Sequence, residues 1–176
     1  LDSRHARLGH TIECRTVNVC SYIVNTDKGL APNPFWGYCT LALCTPNHQG
    51  VGATKGDWII GTTGRASGGL LVYAMRLTEA RLDLDQYFRD PRFRRKKPIP
   101  HGTWRQRVGD NMYYRKAGKW QRLRAAYHQG SDDMVKDTRY AYAFVSRHFY
   151  YFGEKAADIP PAYRELIRDR QGCKWH

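Results

Sequence analysis

Two adjacent aromatics, Phe35 and Trp36, stand in the stretch APNPFWGY, where Pro32 and Pro34 stiffen the chain and Gly37 lets a backbone or ligand come close. Rings held on a stiff loop make a stacking surface for a nucleobase at low entropic cost. The same rings would serve as plugs for the end of a β-barrel, and both roles are compatible if one ring faces inward. Trp58, Tyr150 and Tyr151 are further stacking candidates. Asn25, Asn33, Asp57, Thr62, Ser146 and His148 have the donors and acceptors to read a base edge. Asp57 has a plainer role as the closure of the turn after Gly56, and His148 as a satisfied core histidine.

Catalytic signatures were sought beside these residues. The glycine-rich stretch GTTGRASGG lacks the GxxxxGK[ST] of a phosphate loop and lies between two strand-like runs. Ser67 falls outside a GxSxG elbow, and a strand rather than a helix follows it. Neither the His-x-Glu nor the Pro-Cys-x-x-Cys of a zinc deaminase occurs. The histidines are scattered, so neither a metal nor a cofactor is expected. Asp132, Asp133, Asp137 and Glu154 read as solvated loop carboxylates. No constellation announces catalysis.

Charge supplies the other functional signal. The chain carries 29 Lys+Arg against 16 Asp+Glu, a net charge of +13 that attracts polyanions. Between residues 89 and 124 thirteen basic side chains face only Asp90 and Asp110, so this fifth of the chain holds nearly all the excess. Arg92, Arg94, Arg95, Lys96, Lys97, Arg105, Arg107, Lys116 and Lys119 are the expected phosphate contacts, which give affinity but little sequence information. A membrane surface is the weaker partner, because no amphipathic helix carries the charge and no apolar run reaches spanning length. Five cysteines, an odd number without a CxxC pair, argue against a disulfide framework or zinc site and predict reduced thiols in a cytoplasmic protein.

The elements that must position these residues are short. Strand patterns cover residues 16–25, 38–45, 58–62, 70–78, 140–146 and 148–152, and a hairpin joins 111–116 to 119–123 across Ala117-Gly118. Helices are expected at 83–88 and 162–170, and a long basic loop at 89–107. Residues 1–14 lack periodicity and read as an N-terminal extension, leaving 15–176 as one domain. The composition predicts a β-rich α+β domain, a small partly open barrel with a few short helices.

The turn and strand KGDWIIG, followed by LLVYAMRLTEA, resemble the corresponding elements of the PUA/EVE/ASCH group, and NPFW is similar to the Asn-Pro and Trp elements of EVE domains. More closely, the stretches NTDKGLAPNPFWGYCTLALCTPNHQGV, KGDWIIGT, VYAMRLTE, QYFRDPRF, GDNMYY and FVSRHFYYFG resemble the type-two nucleotide-modification-associated domain family. That resemblance implies a PUA-like fold with a base pocket beside the barrel mouth. It implies a nucleic-acid-binding module, with DNA favoured over RNA, that recognises a flipped base, modified or not. Such a module would act as a reader or sensor in a DNA-modification or phage-defence system, with protein partners there. The alternative is an enzyme that modifies or removes a nucleobase.

Overall fold

The computed structural model describes residues 16–43 and 52–176. Strands β1 (Val19–Ile23), β3 (Trp58–Thr62), β4 (Leu71–Arg76) and β9 (His148–Tyr151) join β10 (Lys174–Trp175) in a five-stranded sheet of order β10-β1-β3-β4-β9. β1 and β3 run parallel, with Val19 beside Trp58, because the chain between them leaves to form β2 (Cys39–Leu41) in another sheet. β2, β8 (Tyr142–Ser146) and β5 (Leu82–Asp83) form that second sheet, of order β2-β8-β5. β6 (Tyr113–Lys116) and β7 (Lys119–Arg122) make a hairpin whose turn residues, Ala117 and Gly118, both have positive φ, as a tight two-residue hairpin requires. The domain is α+β and β-rich, and its sheets do not close into a barrel. No helix among the described residues is long and apolar enough to cross a membrane.

Strand β8 divides the core. Phe144 faces a cluster with Tyr22, Leu41, Ile59, Tyr73 and Met75, while Ala143 and Val145 face Leu43, Leu84, Tyr87, Phe93, Met112 and Tyr113. Alternate side chains of one strand therefore serve two apolar layers, so its sequence carries no polar alternation. Helix α1 (Leu84–Arg89) covers the second layer with Leu84 and Tyr87 and is capped by the Asp83 carboxylate, which accepts from the Asp85 N–H at 2.8 Å.

Several expectations are corrected. The basic stretch 89–107 is helical rather than an irregular loop: Pro91–Lys96 is a 3-10 helix and Trp104–Arg107 is helix α2. Pro91 occupies the first helical position, where a missing N–H costs nothing, and Asp90 caps it by accepting from the Arg92 N–H at 2.9 Å. Helix α3 (Ser131–Asp137) replaces the expected loop of solvated carboxylates, because Asp133 caps the Gly130 N–H at 3.0 Å. The last helix is a 3-10 turn, Pro161–Leu166. Pairing of β10 with β1 places Cys173 against Cys20, and the two form a disulfide with Cα atoms 5.9 Å apart. The reduced state expected of these two thiols is thus overturned by a strand pairing too short to leave a sequence pattern. Residues 1–14 and the end of the strand expected at 38–45 lie outside the described residues.

Candidate nucleic-acid interface

The loop bearing Phe35 and Trp36 is held from beneath. Asn33 and Thr40 exchange backbone hydrogen bonds at 2.9 and 3.0 Å, and the Asn33 amide donates to the Gly29 and Val108 carbonyls at 3.1 and 2.8 Å. Lys96, only 1% exposed, donates from Nζ to the Asn33 carbonyl (2.9 Å), Asn33 Oδ1 (2.7 Å) and the Tyr38 carbonyl (3.0 Å). Its three N–H bonds are all spent on one loop. Burial draws the Lys96 ammonium down to about 8, while the neighbouring Asp110 carboxylate pulls the other way. Asp110 is itself raised by burial, held back by Lys96 and by the hydroxyls of Thr40 (2.6 Å) and Tyr87 (2.8 Å). The roles expected of two residues are therefore corrected: Asn33 is the buckle of the loop and Lys96 is its pin. Neither has surface left for a base or a phosphate.

What the pin presents is Trp36. Its φ of 63° lies in the left-handed region, a genuine outlier for a bulky residue, and Gly37 follows at 80°. Strain of this kind persists only where the surroundings impose it, and it gathers at functional sites. The Arg95 guanidinium lies 3.9 Å from the Trp36 ring centre. Together Trp36, Arg94, Arg95, Lys97, Ile99 and Gln106 line a cleft of about 330 Å³. Lys97 stands 3.6 Å from the Phe88 ring centre, and its pKa is lowered by burial and then by Arg94 and Arg89. The cleft is a crowded cationic site with an aromatic wall. An incoming phosphate would relieve its repulsion.

A second cavity, about 480 Å³, is lined by Asp27, Lys28, Trp104, Tyr151, Phe152, Gly153, Glu154 and Lys155. Helix α2 ties the two together, since Trp104 lines this cavity and Gln106 the cationic cleft. Phe35 packs edge-on against Trp104 at 5.4 Å, and Arg105 lies 5.6 Å from the Phe35 ring centre. Trp104 and Phe152 remain 48% and 38% exposed, so their rings are available for stacking. Asp27 accepts the Gly29 N–H at 2.9 Å through Oδ1, while Oδ2 is buried without a hydrogen-bond partner. Burial, and next the Asp27 carboxylate, raise the Tyr151 phenol well above its ordinary range, so it stays protonated.

The remaining sequence candidates fall elsewhere. Asp57 closes its turn, accepting from the Thr54 N–H at 2.9 Å. Trp58, His148 and the 56% exposed Tyr150 lie along the five-stranded sheet, with Trp58 and His148 rings 5.3 Å apart and His148 and Tyr150 rings 5.9 Å apart. The Ser146 hydroxyl is buried and donates to the Arg76 carbonyl at 2.6 Å, which corrects its expected role at a base edge. Thr62 is likewise fully buried and is corrected for the same reason. Asn25 lines a separate cleft with Thr63, Gly64 and Arg65. Arg92 is already matched by Asp90 (2.7 Å) and Glu79 (2.8 Å), so its charge is not free for phosphate. Arg105 and Arg107 are exposed on α2, and Lys116 and Lys119 at the hairpin tip. Sequence reasoning missed Asp27, Trp104 and Gln106, although Asp27-Lys28-Gly29 has the form of a side-chain-capped turn. It also missed that Asp137 is buried, holding His128 Nδ1 at 2.6 Å and accepting the Tyr113 hydroxyl at 3.0 Å.

Fold and site together define a small α+β domain with a cationic, tryptophan-walled cleft joined to an aromatic cavity containing a buried carboxylate. The family described as nucleotide modification associated domain 2 matches residues 16–176, and the chain belongs to that family. The family resemblance read from the sequence is thereby established, and the family's description associates it with nucleotide modification. No curated protein and no solved structure matches the chain.

Proposed function

We propose that this domain is a DNA-binding reader that grips the backbone in the Trp36 cleft and inspects one extruded base in the neighbouring cavity. The observation that carries the reading is the sharing of α2, which sets a site for phosphate and a site for a base on one rigid support. Extruding a base costs a few kcal/mol, and stacking on an aromatic returns roughly 1–3 kcal/mol. Trp104 and Phe152 supply that surface, while Arg94, Arg95 and Lys97 supply affinity without sequence preference. A reader of this kind suits a DNA-modification or phage-defence system, where the base itself is the message.

The test is binding to duplexes with and without modified bases across a salt series. The reader predicts a preference that survives at high salt, on top of a salt-sensitive background. Equal affinities with a steep salt slope would leave only a phosphate grip. A second reading, an enzyme acting on the base, is favoured by the His128–Asp137 pair. His128 lines a cavity of about 250 Å³ that shares Lys28 with the base cavity. A nucleoside profile unchanged after incubation with the protein and DNA would dismiss that reading.

A further inference from the structure

We infer that Asp27 makes the cavity selective for bases carrying an exocyclic amino group (adenine, cytosine, guanine and their ring-substituted derivatives) and refuses thymine and uracil. This inference rests on the reader proposed above and names the class of base it accepts.

The argument begins with the carboxylate. Asp27 Oδ1 is fixed by the Gly29 N–H at 2.9 Å, so the group cannot swing away. Oδ2 is left at the wall of the largest described cavity, sealed from water and without a donor. A buried acceptor with no partner is costly, and native structures keep one only where something else supplies the missing donor. Tyr151 beside it stays protonated, so the site offers an anionic acceptor next to a neutral hydroxyl.

An exocyclic amino group brings the missing N–H, and pairing of a carboxylate with the cytosine amino group is an established mode of base recognition. Thymine and uracil carry carbonyl oxygens where the amino group would be, and these meet the carboxylate as like partial charges. Trp104 and Phe152 stack any base equally, so they cannot provide this distinction. At about 480 Å³ the cavity also leaves room for a substituent on the ring, which a modified base requires.

The test uses the full chain and labelled duplexes carrying a single unpaired A, C, G or T, with an abasic duplex as reference. The wild-type protein should bind the three amino-bearing bases about tenfold more tightly than T, the ratio expected of one charge-assisted hydrogen bond. Asp27→Asn and Asp27→Ser both keep an oxygen for the Gly29 N–H, and both should lose that ranking while binding the abasic duplex as before. Equal binding of T by the wild type, or an unchanged ranking in both variants, would overturn the inference while the reader stands. Failure to bind any duplex above the salt-sensitive background would overturn the reader and this inference together.

Discussion

At the scale of single residues, charge alone did not separate the lysines and arginines that face solvent from the one that holds the structure. Lys96 lies between Arg95 and Lys97 in the run RFRRKK, yet it is buried and its neighbours are not. On a 3-10 helix residues three apart lie on one face, so the burial of Phe93 carries Lys96 inward with it. Lys96→Met should therefore destabilise the fold by ~3–5 kcal/mol, because Asn33 and Tyr38 lose their donor and Asp110 loses its counter-charge. Arg94→Ala with Arg95→Ala should leave chemical denaturation unchanged and flatten the salt dependence of DNA binding. Trp36 gives the complementary case. Glycine at this position adopts a φ of 63° without strain, so Trp36→Gly should keep or slightly raise the melting temperature. The same variant should weaken DNA binding by about 1–3 kcal/mol, the worth of one stacked ring. A loss of folding instead would assign Trp36 to the core.

At the scale of elements, sequence pattern located what is local. The turn Lys55-Gly56-Asp57 announced β3, whose observed span Trp58–Thr62 matches the expected one. The hairpin around Ala117-Gly118 and the helix after Asp83 were equally legible, each from its own turn or cap. The two short helices of the basic segment were not, because Pro91, Pro98, Pro100 and Gly102 read as breakers when Pro91 in fact begins a helix. That error hid the site, since α2 brings Trp104 to the base cavity. Position in the fold, not residue type, distinguishes Trp104 from the chain's other tryptophans. The segment also depends on a close crossing at Gly109. A methyl group there would stand 2.7 Å from the Pro98 nitrogen and closer still to the Lys96 carbonyl. Gly109→Ala should force the 3-10 helix away from the chain at 109–112, breaking the Asn111 N–H bond to the Lys96 carbonyl. The expected result is a loss of at least about 2 kcal/mol by urea titration, together with weaker DNA binding as the Trp36 loop loosens. Unchanged stability would show that the crossing can yield.

At the scale of the whole molecule, the two core layers are rich in tyrosine, and this sets how the protein should fail at high pH. Tyr73 and Tyr87 are fully buried and their phenols are raised far above the ordinary range, first by burial and then by neighbouring Tyr22 and Asp110 respectively. Tyr113 and Tyr151 are raised in the same direction, and burial pushes the Cys39 thiol up to about 12. All of these groups keep their protons in the folded state at a pH where the unfolded chain has released them. Stability therefore falls with rising pH, starting from the unfolded values near 9 for the thiol and 10 for the phenols. Lys96 acts in the opposite sense, because its folded value of about 8 lies below its unfolded one, and its contribution rises with pH across that interval. Between pH 8 and 9 the lysine acts alone, so stability should hold or rise slightly. Above pH 10 the two fully buried phenols alone impose a slope of about 2.7 kcal/mol per pH unit, and no single lysine offsets that. Denaturation curves at half-unit steps from pH 7.5 to 11 should show a plateau followed by a steep, cooperative loss. Tyr73→Phe should soften the alkaline limb by about 1.4 kcal/mol per pH unit, although it also removes the 2.9 Å hydrogen bond to Tyr22. An alkaline limb of unchanged slope in that variant would mean that the phenol titrates in the folded protein, and that the layer beneath the five-stranded sheet admits water.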